Sequence, residues 1–247
     1  MPSTRLNKLV SMNAVYIKSK RKIFVVGFNK CGTRSFTDLF ERSGIGCVHW
    51  DNNMLANNIL KDIKQSGSIN LDNYYPESNA FTDIIYVNSS KHDGNIQIVE
   101  IFEIIEDIIS NYPDAYYIIN TRNVEDWLRS RFNHERGNFA ASYKHFLYNK
   151  YNIRYSDFML ADYWRYIWHR HHYHLLRKIR SSSNLKYLFY DIEKSSFSDL
   201  VSFLEPDYSL KGRSFPVKGK SSYDNNYTRI VISNIFKRFE SFVKRYL

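Results

Sequence analysis

Three groups of residues in this sequence have the types and spacing to do chemistry. The first is a set of donors, Lys30, Thr33, Arg34 and Ser35, gathered around Gly32. An ammonium, a guanidinium and hydroxyls, beside a glycine that lets the backbone come close, suit a phosphate or sulfate group. The second is Arg122 with Ser130 eight residues later. Such a pair can clamp one phosphate, the arginine through a forked, charge-assisted pair of bonds. The third is Asp83, inside the apolar run FTDIIYV, and His49, at the end of CVH. A carboxylate at an apolar strand end tends to a raised pKa, which suits a general base working near neutrality. His92 is a more distant candidate for the same role, and each of these titratable residues also has a plain packing or capping reading.

These groups need elements to position them. Residues 23–26 form a short apolar run that reads as a buried parallel strand. Gly27 breaks the run, and from Thr33 the pattern turns helical, with Phe36, Leu39 and Phe40 on one face. Strand, glycine-bearing loop and helix follow in order, which aims loop N–H groups and the positive end of a helix dipole at one spot. Gly27 and Gly32 have the spacing of a Walker A loop, but Lys30 lies two places before Gly32 and Arg34 two places after it. A nucleoside-triphosphatase loop would carry its lysine directly after the second glycine.

Further strands are predicted at 47–49, 81–87, 115–120 and 185–190, the last ending in Tyr190. Helices are predicted at 52–65, 98–110, 124–132, 156–181, 198–204 and 229–247, with 67–79 and 88–95 as loops and 133–155 aromatic and irregular with room for one helix. Asn123 sits at the N-cap position of the 124–132 helix, followed by Glu125 and Asp126 in the first turn. The strand–helix alternation predicts an α/β fold with a central parallel sheet covered on both faces. Arg122 then stands on the carboxyl rim of the sheet, where open α/β sheets gather ligands, together with the Lys30 loop. Residues 1–21 read as a basic N-terminal arm with a short strand at 14–17, and 22–247 as one domain without repeats or linkers.

Composition narrows the field. The chain has 247 residues, 35 Lys+Arg against 25 Asp+Glu, a net charge of +10 and 43% hydrophobic residues. The charge favours anionic partners such as a nucleotide, nucleic acid, an acidic glycan or a membrane surface. No run approaches the roughly 18 apolar residues of a membrane span, and no signal-peptide pattern opens the chain, so the expected location is cytoplasmic. The cysteines, Cys31 and Cys47, cannot make a disulfide framework, and reduced thiols are the expectation. The histidines at 169, 171, 172 and 174 share no good ligand face with a carboxylate, so no metal is expected and a solvated or core-flanking helix face is. The amphipathic 229–247 segment suits docking on its own domain, on a second subunit of a homodimer, or on a membrane.

The order K-x-G-T at 30–33, after a strand and a glycine, resembles the 5′-phosphosulfate loop of the sulfotransferases that use 3′-phosphoadenosine 5′-phosphosulfate (PAPS). Arg122-Asn123-Val124 to Ser130, following an apolar strand, resembles the 3′-phosphate element of the same family. The stretch 185–206 resembles its strand, acidic turn and helix, and 214–223 lies where the family places a nucleotide-covering loop. Departures are Arg34 where a second Thr is common, Val124 in place of Pro, and a loose basic lid at Lys218-Gly219-Lys220. The resemblance implies a P-loop-like sulfotransferase fold that binds PAPS through Lys30, Cys31, Gly32, Thr33, Arg34, Ser35, Arg122, Ser130, Tyr190, Lys218 and Lys220, without a metal. Lys30 would stabilise the leaving phosphate, and Asp83, ahead of His49, would take a proton from an acceptor hydroxyl, a glycan among others.

Two rival functions compete with this reading. A P-loop kinase would need a lysine after Gly32 and a strand-terminal acid, a role only Asp83 could fill. A basic nucleic-acid-binding module would use interleaved Tyr and Lys/Arg, but would leave the Lys30 loop and the Arg122/Ser130 pair without a role, so no specific nucleic acid is expected.

Overall fold

The computed structural model describes residues 20–88 and 96–219. The expected strand at 14–17, most of the N-terminal arm, His92, Lys220 and the 229–247 helix lie outside the described residues. Within them, five parallel strands make one sheet: β1 (Ile23–Val25), β2 (Cys47–His49), β3 (Ala80–Thr82), β6 (Tyr116–Thr121) and β7 (Lys186–Asp191), in the order β2-β3-β1-β6-β7. A separate antiparallel hairpin is made by β4 (Ile85–Asn88) and β5 (Gln97–Glu100). The helices are α1 (Thr33–Arg42), α2 (Met54–Ser66), α3 (Ile101–Asn111), α4 (Val124–Phe132), α5 (Asn138–Tyr151), α6 (Asp157–Ser181) and α7 (Phe197–Leu204).

The sheet is sandwiched because its strands are apolar on both faces, as buried parallel strands must be. On one face Phe24 and Val26 pack with Leu55 and Ile59 of α2 and Ile101, Ile105 and Ile108 of α3. On the other, Ile23 and Val25 pack with Phe36, Leu39 and Phe40 of α1 and Leu200 and Leu204 of α7. A third cluster, rich in aromatics, lies where α4, α5 and α6 meet the loop after β1, with Phe28, Trp127, Tyr143, Trp164 and Trp168.

Two expectations are corrected here. The single strand expected over 81–87 is two strands in different sheets. Asp83 breaks it, with a left-handed backbone at φ 57°, a conformation Asp tolerates better than its apolar neighbours would. The helix expected over 98–110 begins at Ile101. Residues 97–100 are strand β5, and Glu100 caps α3 through a reciprocal capping box with Glu103. An apolar run this long hides a strand-to-helix change, because period alone cannot separate buried strand from buried helix. Within 133–155, α5 supplies a full helix. By contrast β2 and α4 have the predicted bounds, and Asn123 caps α4 by accepting from the N–H groups of Glu125 and Asp126.

Strand order locates the ligand crevice. After β1 the chain moves to β2 at one edge, and after β6 it moves to β7 at the other. The adjacent carboxyl ends of β1 and β6 are therefore a topological switch point, where open α/β sheets bind ligands.

Candidate functional site

The loop leaving β1 is closed by one side chain. Asn120, in β6, accepts from the Gly27 N–H at 2.6 Å and donates to the Cys31 carbonyl at 2.8 Å. Both ends of the loop are thus held by a single buried amide. The approach is so close that a Cβ on Gly27 would sit 1.9 Å from the Asn120 carbonyl oxygen. Trp127 Nε1 donates to the Asn29 carbonyl at 3.0 Å, and Arg122 reaches the Lys30 carbonyl at 3.4 Å. Lys30 and Gly32 take left-handed backbone angles, φ 66° and 77°. At Lys30 such strain costs on the order of 1–3 kcal/mol, which the surrounding contacts must hold in place.

Gly32 then opens α1, which has no capping side chain and no acidic residue in its first turn. Its first N–H groups lack intrahelical partners and carry the positive end of the dipole. Thr33 and Ser35 are buried beside this opening, whereas Arg34 is exposed. The Ser35 hydroxyl accepts from the Lys218 N–H at 3.0 Å, and Lys218 Nζ pairs with Asp38 at 3.2 Å. The segment before Lys218 is anchored by Phe215, whose ring lies 4.7 Å from Phe36 and 5.0 Å from Tyr190. Tyr190 is therefore a packing platform under this segment, and burial pushes its phenol up to about 12. Cys31 turns its thiol into the core, where burial raises its pKa far above the ordinary range, so it offers the site its backbone and not a nucleophile.

Across the crevice Arg122 carries a 2.6 Å ion pair with Glu193, from the turn after β7, and its Nε is buried without a partner among the described residues. Ser130 is half-buried two turns into α4. Lys30 is half-buried. Burial lowers its pKa, Arg34 and Arg122 add to that, and Asp83 and Glu135 oppose it.

The two candidate bases come together. His49 Nε2 lies 3.7 Å from Asp83 Oδ2. Burial raises the Asp83 pKa, against the opposing pull of His49, Lys30 and Arg131. Neighbouring strands β2 and β3 bring them to one rim because their register places His49 opposite Thr82, the residue before Asp83.

Sequence reasoning missed several contributors. Asn120 and Thr82 were readable only as polar residues ending apolar strands, and their roles depend on cross-strand partners. The turn after α4 falls in the 133–155 stretch, where the sequence pattern carries no signal for it. There Glu135 and Arg136 are left-handed, and His134 lies close enough to Lys30 and Arg131 for their charges, after burial, to help push its pKa down to about 4. The histidines of α6 diverge. His171 is buried against the Val26 carbonyl, His172 bonds the Trp168 carbonyl and Thr121, and His174 pairs with Glu106. The first two are core-flanking contacts, whereas His169 and His174 are exposed. Among the described residues no three metal-ligating side chains converge, and no helix is long and apolar enough to cross a membrane.

A loop that presents helix N-terminal donors beside a strand-tip arginine recurs in many nucleotide-binding families, so the fold alone does not choose among them. The sulfotransferase domain family matches residues 22–222, the whole sheet and every element around the crevice. The chain belongs to the sulfotransferase domain family. No curated protein matches it. Membership makes the chain a sulfotransferase and sets aside the kinase and nucleic-acid readings. In this sulfotransferase the match takes in Lys30, His49, Asp83, Arg122 and Ser130 alike.

Proposed function

We propose that this sulfotransferase takes its sulfuryl group from PAPS and passes it to a hydroxyl of an acceptor, a glycan among the candidates. The observation that carries the reading is the gathering of three groups along one carboxyl rim of the sheet: the Lys30 loop, Arg122, and the His49–Asp83 pair, with Asp83 and Arg122 both close enough to act on Lys30. The residues present fit such a donor. The unacidified opening of α1, Thr33 and Ser35 would hold the 5′-phosphosulfate. Arg122, with its unpartnered Nε, and Ser130 would hold the 3′-phosphate. The 215–219 segment, with Lys218, closes one side of the loop.

The residues divide the chemistry among them. As the acceptor oxygen forms its bond to sulfur, the bond from sulfur to the phosphate oxygen breaks, and charge grows on that oxygen. Lys30 and the N–H groups of the loop neutralise it, an arrangement in which one donor is commonly worth ~3 kcal/mol of barrier. The acceptor proton passes to the His49–Asp83 pair, whose Nε2 and Oδ2 lie 3.7 Å apart. Partial burial limits the water around Lys30 and Asp83 and strengthens each of these charge interactions.

Thermal unfolding with 3′-phosphoadenosine 5′-phosphate, with ATP and with buffer tests the donor site. A ligand at 100 times its Kd stabilises by about 2.7 kcal/mol. The bisphosphate is expected to raise Tm, and Arg122→Ala to remove that rise. A rise with ATP alone, or with neither nucleotide, would overturn the PAPS assignment.

A further inference from the structure

The base pair at the rim is tied to the donor loop by a chain of hydroxyls. Thr37 Oγ1 lies 3.0 Å from the Thr33 carbonyl, in the first turn of α1. It also lies 3.0 Å from Thr82 Oγ1, which lies 2.9 Å from His49 Nδ1. Thr82 is fully buried, so its hydroxyl must find its partners within the protein. The direction of every bond follows from its root. A carbonyl only accepts, so the one hydroxyl proton of Thr37 goes to Thr33. Thr37 can then only accept from Thr82, whose proton is thereby spent. Thr82 can only accept from His49, which must carry its proton on Nδ1. The Cys47 thiol also touches both hydroxyls, but its sulfur is a weak acceptor and does not compete with oxygen.

We propose that Thr37 and Thr82 are positioning residues that fix the tautomer of His49, leaving the Nε2 lone pair facing Asp83 and the crevice. Isolated imidazole gives no such assurance, because either ring nitrogen can hold the proton and its partners decide. With Nδ1 protonated, neutral His49 presents a bare nitrogen 3.7 Å from Asp83 Oδ2. Two lone pairs facing one another favour capture of a proton from an acceptor hydroxyl, after which Nε2–H donates to the carboxylate. With the other tautomer, Nε2–H would already be committed to Asp83, and no basic nitrogen would face the crevice. The charged groups bearing on the pair are Lys30 from the loop after β1, Arg131 from α4 and Glu100 from the hairpin, all acting on Asp83. The relay starts at Thr33, beside the proposed sulfate cradle, so the proton acceptor and the donor loop share one hydrogen-bonded spine.

This inference rests on the proposed sulfotransfer chemistry for its purpose, but its test needs neither donor nor acceptor. Multiple-bond ¹⁵N–¹H spectra of the full chain at about pH 8.5, above the ordinary imidazole range, report which nitrogen of His49 is protonated. The wild type is expected to show the Nδ1–H form. Thr82→Val removes the Nδ1 acceptor, and the Nε2–H form should gain population, with Asp83 as the remaining acceptor. Thr37→Val does not touch His49, yet it frees the Thr82 proton to turn toward Nδ1 and should shift the tautomer the same way. Thr82→Ser keeps the hydroxyl and should keep the Nδ1–H form. A wild type in the Nε2–H form overturns the proposal, and so does a folded Thr82→Val or Thr37→Val with an unchanged tautomer. Should both valine variants fail to fold, the wild-type spectrum alone still decides. Failure of the PAPS reading would show instead in the bisphosphate melts and would leave these spectra unaltered.

Discussion

Arg122 and Arg131 stand nine residues apart, at the start and near the end of the same strand-to-helix passage, and each carries a carboxylate partner. Arg122 meets Glu193 at 2.6 Å with side-chain exposures of 19% and 38%. Arg131 meets Glu100 at 2.5 Å with 0% and 3%. The guanidinium of Arg131 also lies among the rings of Trp127, Phe139, Tyr143 and Trp164, 4.6–5.2 Å from their centroids. Tyr143 donates to the same Glu100 oxygen at 2.7 Å. One arginine is held at the rim by a partner that water can replace. The other is sealed in a low-dielectric cage where its partner is obligatory. Exposure, not charge, separates a residue available to an anion from one that ties the β4–β5 hairpin to α4.

The contrast is broken most directly at Arg131. Arg131→Met leaves the Glu100 carboxylate buried without its countercharge, and should cost ~3–5 kcal/mol in urea unfolding. Adding Glu100→Gln should recover much of that loss. If the single variant unfolds like the wild type, the cage is not sealed.

A smaller effect is expected from a buried group that no partner can charge. His171 donates Nε2–H to the Val26 carbonyl at 2.8 Å, its Nδ1 has no partner among the described residues, and burial pushes its pKa down to about 3. Its folded pKa lies below its unfolded value of about 6.5. The unfolded chain therefore binds more protons in that interval, and stability rises with pH. Urea midpoints should fall as pH drops from about 6.5 toward about 3, and His171→Leu should flatten that slope. An equal slope in the variant would assign the acid sensitivity elsewhere.

The smallest effect on stability belongs to the rim pair. Glu193→Gln removes a half-exposed partner and should change unfolding by less than about 1 kcal/mol. In the proposed role of Arg122 as 3′-phosphate ligand, it should also tighten bisphosphate binding several-fold, because the guanidinium would no longer exchange a carboxylate for the phosphate. Weaker binding in this variant would mean that Glu193 orients Arg122 and does not compete for it.

How much of this was readable in the sequence depends on where each residue's role is written. The Lys30 loop and Arg122–Ser130 are local motifs, fixed by spacing along the chain, and β2 and α4 announce themselves through apolar runs and a cap. The hairpin was not legible, because Asp83 looks like one polar residue in a continuing strand and only its backbone turn shows that the sheet is left behind. His49 and Asp83 were legible as separate titratable residues but not as a pair, since strand register brings them together. Asn120, Thr82 and Glu193 were missed for the same reason: each acts on a residue at least 30 positions away. Arg131 was unreadable as a core residue, because a sequence shows its charge and not its cage.

The Asn120 amide has a consequence for timing. A loop clasped at both ends by one side chain needs no search for its bound shape when an anion arrives. Capture should then be paced by encounter alone, and a chain of net charge +10 draws anions toward it through a field that salt screens within about 8–10 Å. The association rate should therefore fall steeply with ionic strength, while dissociation, governed by short contacts inside the crevice, should change little.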